Sequence, residues 1–273
     1  MSVVISPSIT PSDYTYPLTH ARIGYDNFVP DATVTATSAD TNYPADAVQR
    51  ETTYEHWKPT SASNESLVFD QGASSVGAAS YVGIAAHTLG TQNATIEIAH
   101  SDDNSTWTVI ETLEPANNSA IMFIFAEVEV RYWRVRVVSA DAAPEIGVVY
   151  IGSVLEMQRP IYGGHSPITL SRQTERRPTK SQKGQWLGVS IVRYGLQSSF
   201  NWRHLTAAWY RANFDPFVES ARSKPFFIAW RPSKYPQEIA YGWLPPNTDI
   251  QPSNMGIRDL MEVSMTVEGY ADE

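Results

Sequence analysis

The sequence predicts a mainly β protein in two parts: an antiparallel sandwich or jelly roll, then a smaller β-sandwich unit with a helical insertion, α+β in class. Three observations predict it. Apolar and polar residues alternate with period two along much of the chain, which marks strands with one buried face. The turn formers, 18 Pro and 15 Gly, are scattered between these runs. Charge divides the chain: residues 1–158 hold 6 Lys+Arg against 19 Asp+Glu, a balance of −13, and residues 159–273 hold 14 against 10, a balance of +4. Such asymmetry points to two modules with different partners.

In the first part, Ala94, Ile96 and Ile98 alternate with Thr95 and Glu97. Val128 and Val130 alternate with Glu127, Glu129 and Arg131, and at Tyr132-Trp133 the phase changes to Trp133, Val135 and Val137. A one-residue change of phase inside a strand reads as a β-bulge. No helix of ten residues is expected before about residue 200. The seam falls at Gln158-Arg159-Pro160, giving domains 1–158 (core about 30–155) and 159–273. In the second domain, Leu187, Val189 and Ile191 alternate as a strand, and Leu205, Ala208, Trp209 and Ala212 follow helical spacing. Asp215-Pro216 reads as the N-cap and first-turn proline of a short helical piece ending near Arg222. Strands at Phe226–Trp230, Ile239–Trp243 and Val263–Val267 follow. The basic stretch Ser171–Gln185 has almost no apolar residue and reads as a long exposed loop.

The composition excludes several chemistries. With no cysteine, disulfides, thiolate metal sites and Cys nucleophiles are absent, which suits folding in a reducing cytosol. The N-terminus lacks the charged start and apolar core of a secretory leader, and no apolar run is long enough to span a bilayer. No nucleotide-binding, zincin or hydrolase-elbow motif occurs, and the six His (20, 56, 87, 100, 165, 204) never fall at metal-ligand spacing. No catalytic residue, cofactor, metal site or nucleic-acid partner is therefore expected. Asp102-Asp103-Asn104, in SDDNSTWTVI, offers oxygen ligands to Ca²⁺ or the Asx turn of a hairpin, with Trp107 as a core anchor beside it. The cluster Tyr43, Tyr54, His56 and Trp57 offers aromatic faces to a sugar, unless Trp57 is buried under the first strand pair. The second domain is rich in Trp and Phe, so Trp230 and Trp243, with the basic Arg176, Arg177, Lys180 and Lys183, are candidates for subunit contacts.

Four short motifs occur in order: YPADAVQRETTYEHW, SLVFDQG, IEIAHSDDNSTWTVI and VRYWRVRVV. Together they resemble the discoidin-like (coagulation factor type C, galactose-binding-like) domains, over about residues 30–155. That resemblance implies a jelly roll whose variable end loops bind ligands, often carbohydrates, and it transfers no binding residue. The usual terminal cysteines of that family are missing here. In the second part, KPFFIAWRPSKYPQEIAYGWL followed by a terminal VSMTVEGY resembles the distal-tail and tail-tube proteins of siphophages. That implies a structural protein of a bacteriophage tail, near its tip or baseplate, made in the host cytoplasm. It would form a homo-oligomeric ring with other tail proteins, with the first domain binding surface glycans or bracing neighbours. The alternative is a carbohydrate-binding module or a fragment of a carbohydrate-active enzyme.

Overall fold

The computed structural model describes residues 3–74, 76–256 and 258–271. The strands of the first part are β1 (Val3–Ile5), β2 (Arg22–Gly24), β3 (Thr33–Ala36), β4 (Glu65–Asp70), β5 (Ala78–His87) and β6 (Thr95–Ser101). They continue as β7 (Thr108–Leu113), β8 (Ile121–Glu129), β9 (Tyr132–Ser139), β10 (Ile146–Gly152) and β11 (Leu155–Glu156). The second part holds β12 (Arg172–Lys180), β13 (Trp186–Thr206), β14 (Phe226–Ala229), β15 (Ile239–Trp243), β16 (Gln251–Asn254) and β17 (Leu260–Gly269).

The first part is a jelly roll of two sheets. An outer five-stranded sheet has the order β3-β4-β9-β6-β7, and an inner four-stranded sheet has the order β1-β8-β5-β10. Between them Trp57, Phe69, Val82, Ile84, Phe123, Trp133 and Val149 form the core. The phase change at Tyr132 is a turn at residues 130–131, joining β8 to β9, rather than a bulge. A turn shifts the phase as a bulge does, and period alone does not separate them.

The inner sheet is buried on both faces. Ile121, Phe123 and Phe125 of β8 point to the jelly-roll core, while Met122 and Ile124 point the other way. All seven residues of β10 are buried. The second face packs on an eight-stranded sheet with the order β11-β2-β14-β15-β17-β13-β12, to which β16 adds beside β17. The second layer of the second sandwich is thus the inner sheet of the jelly roll. The division at residue 158 does not divide the sheets, because β2 and β11 from the first part pair with each other, and β2 also with β14.

Aromatic rings fill this joint. Phe227 lies 4.9 Å from Tyr241 and 5.3 Å from Tyr150, centroid to centroid. Each buried phenol finds a carbonyl, as a buried hydroxyl must. Tyr150 Oη donates to Pro225 O at 3.0 Å, and Tyr241 Oη donates back to Glu51 O at 2.7 Å. Tyr81 Oη donates to Asp26 O at 2.6 Å. The approach is close enough to demand glycine: a Cβ on Gly83 would sit 2.6 Å from the Phe227 ring, and one on Gly24 would sit 2.4 Å from Tyr81.

On its far face the eight-stranded sheet carries one helical segment. It runs through α1 (Ala207–Trp209), a π turn at Tyr210–Phe214 and α2 (Asp215–Ala221). Leu205 belongs to the end of β13, and Ala208 and Ala212 face solvent. The buried set is Trp209, Tyr210, Phe214, Phe217 and Ala221, packed on Phe200, Trp202 and Phe226. The π turn inserts a residue into the helical period, so a strict 3.6-residue template selects the wrong alanines. Thr206, not Asp215, caps the segment, its hydroxyl accepting from Trp209 N–H at 3.4 Å.

A buried arginine closes the sheet where the chain first enters it. Arg22 is 1% exposed, ion-paired to Glu156 at 3.5 Å, and donates to the carbonyls of Tyr16 and Pro17. Glu156 in turn accepts the amides of Thr15 and Tyr16, each at 2.9 Å. Taking a guanidinium out of water is tolerated only because its donors are matched this way.

Two outcomes follow from these contacts. Gly83→Ala should lower unfolding free energy by about 1–3 kcal/mol, since the added methyl forces two sheets apart, and urea titration measures it. His87 is the second case. It is 3% exposed, its Nε2–H donates to Ser119 O at 3.1 Å and its Nδ1 accepts from Leu89 N–H at 3.3 Å. Burial pushes its pKa down to about 4. The unfolded chain therefore binds this proton first, so stability holds above pH ~6.5 and falls toward pH 4. That fall, on the order of 3 kcal/mol, should vanish in a His87→Gln variant.

Candidate interaction surfaces

The strand directions give the jelly roll two ends. β5 and β9 run toward one end, where loops 37–64, 88–94, 114–120 and 140–145 gather. The chain arrives and leaves at the other end, near residues 25–32 and 152. β1, parallel to β8, begins at the loop end, where Val3 N–H also donates to Pro236 O at 2.6 Å.

Tyr43, Tyr54, His56 and Trp57 all lie in loop 37–64. Trp57 is fully buried, its Nε1–H donating to Ser38 O at 2.9 Å, so its ring belongs to the core and meets no ligand. Tyr43 and His56 stack at 4.7 Å, with the Lys58 ammonium 5.7 Å from the Tyr43 ring. Glu145 joins them, 3.2 Å from His56 Nε2 and 2.9 Å from Lys58 Nζ. The Glu145 carboxylate raises the Lys58 pKa, first by hydrogen bonding and then by charge. Tyr54, 76% exposed, presents an open ring.

Asp102 and Asp103 sit at the opposite end, in the turn between β6 and β7. Asp103 Oδ1 accepts from Thr106 N–H at 2.8 Å, Ser105 N–H at 2.9 Å and Ser101 Oγ–H at 3.0 Å. Those bonds, the Thr106 amide above all, hold its carboxyl well below the usual carboxylate range. Oxygens engaged in an Asx turn are poorly placed to ligate calcium. Among the described residues no group of three or more His, Cys, Asp and Glu is placed to hold a metal ion. Trp107 is not a core anchor. It lies half-buried on the outer face, 4.4 Å from the Arg134 guanidinium, while Trp133 fills the core.

The stretch expected as a basic loop is a β-ribbon. β12 pairs with β13 from Arg172↔Leu196 out to Lys180↔Trp186, with bulges after Glu175 and Thr179. β17 covers β13 only from Leu196 onward, so the outer part is two strands alone. At ~3.3 Å per residue it reaches about 30 Å. One of its faces pairs Thr174 with Tyr194, Arg176 with Ile191, Pro178 with Val189 and Lys180 with Trp186. These apolar residues stay in solvent: Trp186 is 61% exposed, Tyr194 49%, Val189 45% and Ile191 44%. The alternation of Leu187, Val189 and Ile191 looked like a buried strand. Its partner strand is too basic to bury it, and that was the available signal.

Arg176, Arg177 and Lys180 lie on β12, and Lys183 lies in the ribbon turn. Trp230 and Trp243 are elsewhere. Trp230 stacks on Tyr235 at 5.2 Å and donates to Glu238, and Trp243 ends β15, half-buried. Where the ribbon meets the loop end of the jelly roll, a cleft of about 650 Å³ opens, lined by Ser119, Arg172, Arg176, Tyr194, Leu196 and Ile239.

Neither protein-family models nor curated proteins match the chain. Solved structures similar to it include carbohydrate-binding modules. One is chitosan-binding module 1 from the chitosanase/glucanase of Paenibacillus sp. IK-5, at 16% identity over 46% of this chain and 97% of that one, TM-score 0.40. A second is the family 32 module of C. perfringens NanJ in complex with galactose, at 17% identity over 47% and 98%, TM-score 0.39. A third is the family 32 module of AlyQ in complex with 4,5-unsaturated mannuronic acid, at 21% identity over 47% and 96%, TM-score 0.39.

The Asx-turn account is checked with calcium. Millimolar Ca²⁺ should leave the melting temperature unchanged, whereas Asp103→Ala should lower it in the presence or absence of the ion.

Proposed function

We propose that the chain is a structural subunit that assembles with copies of itself, as a ring in a bacteriophage tail near its tip or baseplate. The observation that carries this is the ribbon. A two-stranded ribbon is marginal in water by itself. This one exposes a row of large apolar side chains that no described residue covers, the usual mark of an association surface. It projects from a body made rigid by the three-layer joint. An accessory module joined through a flexible linker would keep its sheet face polar, whereas here that face is the joint. The resemblance to siphophage tail proteins over residues 224–270 supports the placement in a virion, assembled in the host cytoplasm.

Light scattering on the purified chain should show a discrete oligomer, and negative-stain images should show rings. Trp186→Ser with Ile191→Ser should shift the mass to that of a monomer while circular dichroism stays unchanged. A wild-type chain that is monomeric at all concentrations would sink this reading.

A second reading is carbohydrate binding by the jelly roll, alone or as part of a carbohydrate-active enzyme. The observation favouring it is Tyr54, an open ring in loop 37–64 at the loop end, beside a polar cluster of Tyr43, His56, Lys58 and Glu145. A glycan array probes it. Binding that disappears in Tyr54→Ala, with stability within ~0.5 kcal/mol of wild type, would establish it. The two readings are compatible, because they use different surfaces, the ribbon and the loops around Tyr54.

A further inference from the structure

All six basic residues of 1–158 are already engaged within that part. Arg22 pairs with Glu156, Arg50 with Asp46 and Glu55, and Lys58 with Glu145. Arg131 pairs with Asp70, and Arg134 and Arg136 with Glu97. The acid surplus of the jelly roll is thus uncompensated. The ribbon shows the opposite. Arg172, Arg176, Arg177, Lys180, Lys183 and Arg193 form no ion pair among the described residues, although Glu175 stands directly opposite Arg193.

Where these charges lie gives the geometry. The ribbon leaves the body beside Ser119, at the loop end of the jelly roll. Among the exposed acids without an ion pair, Glu114 and Asp141 lie at the loop end, while Asp31, Asp102 and Glu129 lie at the other. Glu129 ends β8, Asp102 follows β6, Asp31 precedes β3, and Ser101 and Asp70 both pair with Tyr132 there. Donor and acceptor surfaces on opposite ends of one rigid body cannot meet within the chain. They meet between copies, head to tail, a heterologous contact that closes into a ring if the rotation allows.

The β12 edge of the ribbon is also ill-suited to extending a neighbour's sheet. β12 carries Pro178, which lacks an N–H, and cationic side chains that blunt a strand edge. Two ribbons meeting tip to tip would oppose Lys180 and Lys183 of each copy. Both alternatives are disfavoured by the charges that favour the acidic end.

Resting on the assembly reading above, we infer that the ribbon of one copy lies by its apolar face on the acidic end of the jelly roll of the next, its arginines and lysines matched to Asp31, Asp102 and Glu129. Charge complementarity of this kind fixes register and orientation, and it weakens as salt screens it.

The test is charge reversal on the full chain, with mass read by light scattering. Arg172→Glu, Arg176→Glu and Lys180→Glu, all on the apolar face, together should weaken association at least tenfold, and so should Asp31→Lys, Asp102→Lys and Glu129→Lys. These positions are exposed, and circular dichroism confirms folding of each variant. Both sets combined in one chain should restore association, since the charges are then exchanged. Zero-length carbodiimide cross-linking of the wild type should join Lys180 or Lys183 of one copy to Asp102 or Glu129 of another. An oligomer indifferent to salt and to both reversals, or cross-linked elsewhere, overturns this docking and leaves self-assembly standing. A chain that never associates overturns self-assembly itself.

Discussion

The structure depends on one sheet buried on both faces. β5, β8 and β10 alternate their side chains between two cores, so each strand must be apolar nearly throughout. Parallel sheets in α/β proteins read this way, and an antiparallel jelly-roll sheet ordinarily keeps one face wet. The constraint propagates outward. Tyr150 and Tyr241 exchange hydrogen bonds with the opposite part, Gly83 and Gly24 let rings approach backbone, and β2 crosses over to complete the second sheet. Removing the second part would expose the second face of the inner sheet, and removing the first would take Ala21, Ile23, Leu155 and Met157 out of the second core.

Rigidity of that joint gives the ribbon its meaning. A projecting arm on a flexible module samples many directions and loses binding entropy when it docks. Here the arm, the loop end and the acidic end are held in fixed relation by a common body. In the assembly proposed above, apolar side chains on the arm would supply affinity and the separated charges direction. Tyr54 stands in the open at the loop end.

Much of this was legible in the residues. The jelly roll showed in its alternation and in SLVFDQG and VRYWRVRVV, which became β4 and β9. Trp57 and Trp107 were read less well. Sequence distinguishes a Trp from a Lys, but not the core side of a loop from its outer side, and the ring of Trp57 turned inward while that of Trp107 lay under Arg134. The ribbon was harder. TERRPTK has no apolar alternation because neither of its faces is buried, and a strand without a buried face resembles a loop. Arg176, Arg177, Lys180 and Lys183, read as loop residues, stand on β12 and in the ribbon turn instead. The acidic end was invisible, because it is assembled from residues 31, 102 and 129, which only the fold brings together.

Hydrogen exchange on the assembled chain, compared with the same chain dissociated by salt, tests the central claim most directly: a rigid joint leaves the ribbon as the element that associates. The amides of β5 and β10 should exchange slowly in both states, and those of β12 and the outer half of β13 should slow sharply on assembly. Ribbon amides exchanging alike in both states, or β5 and β10 opening once the copies separate, would contradict it.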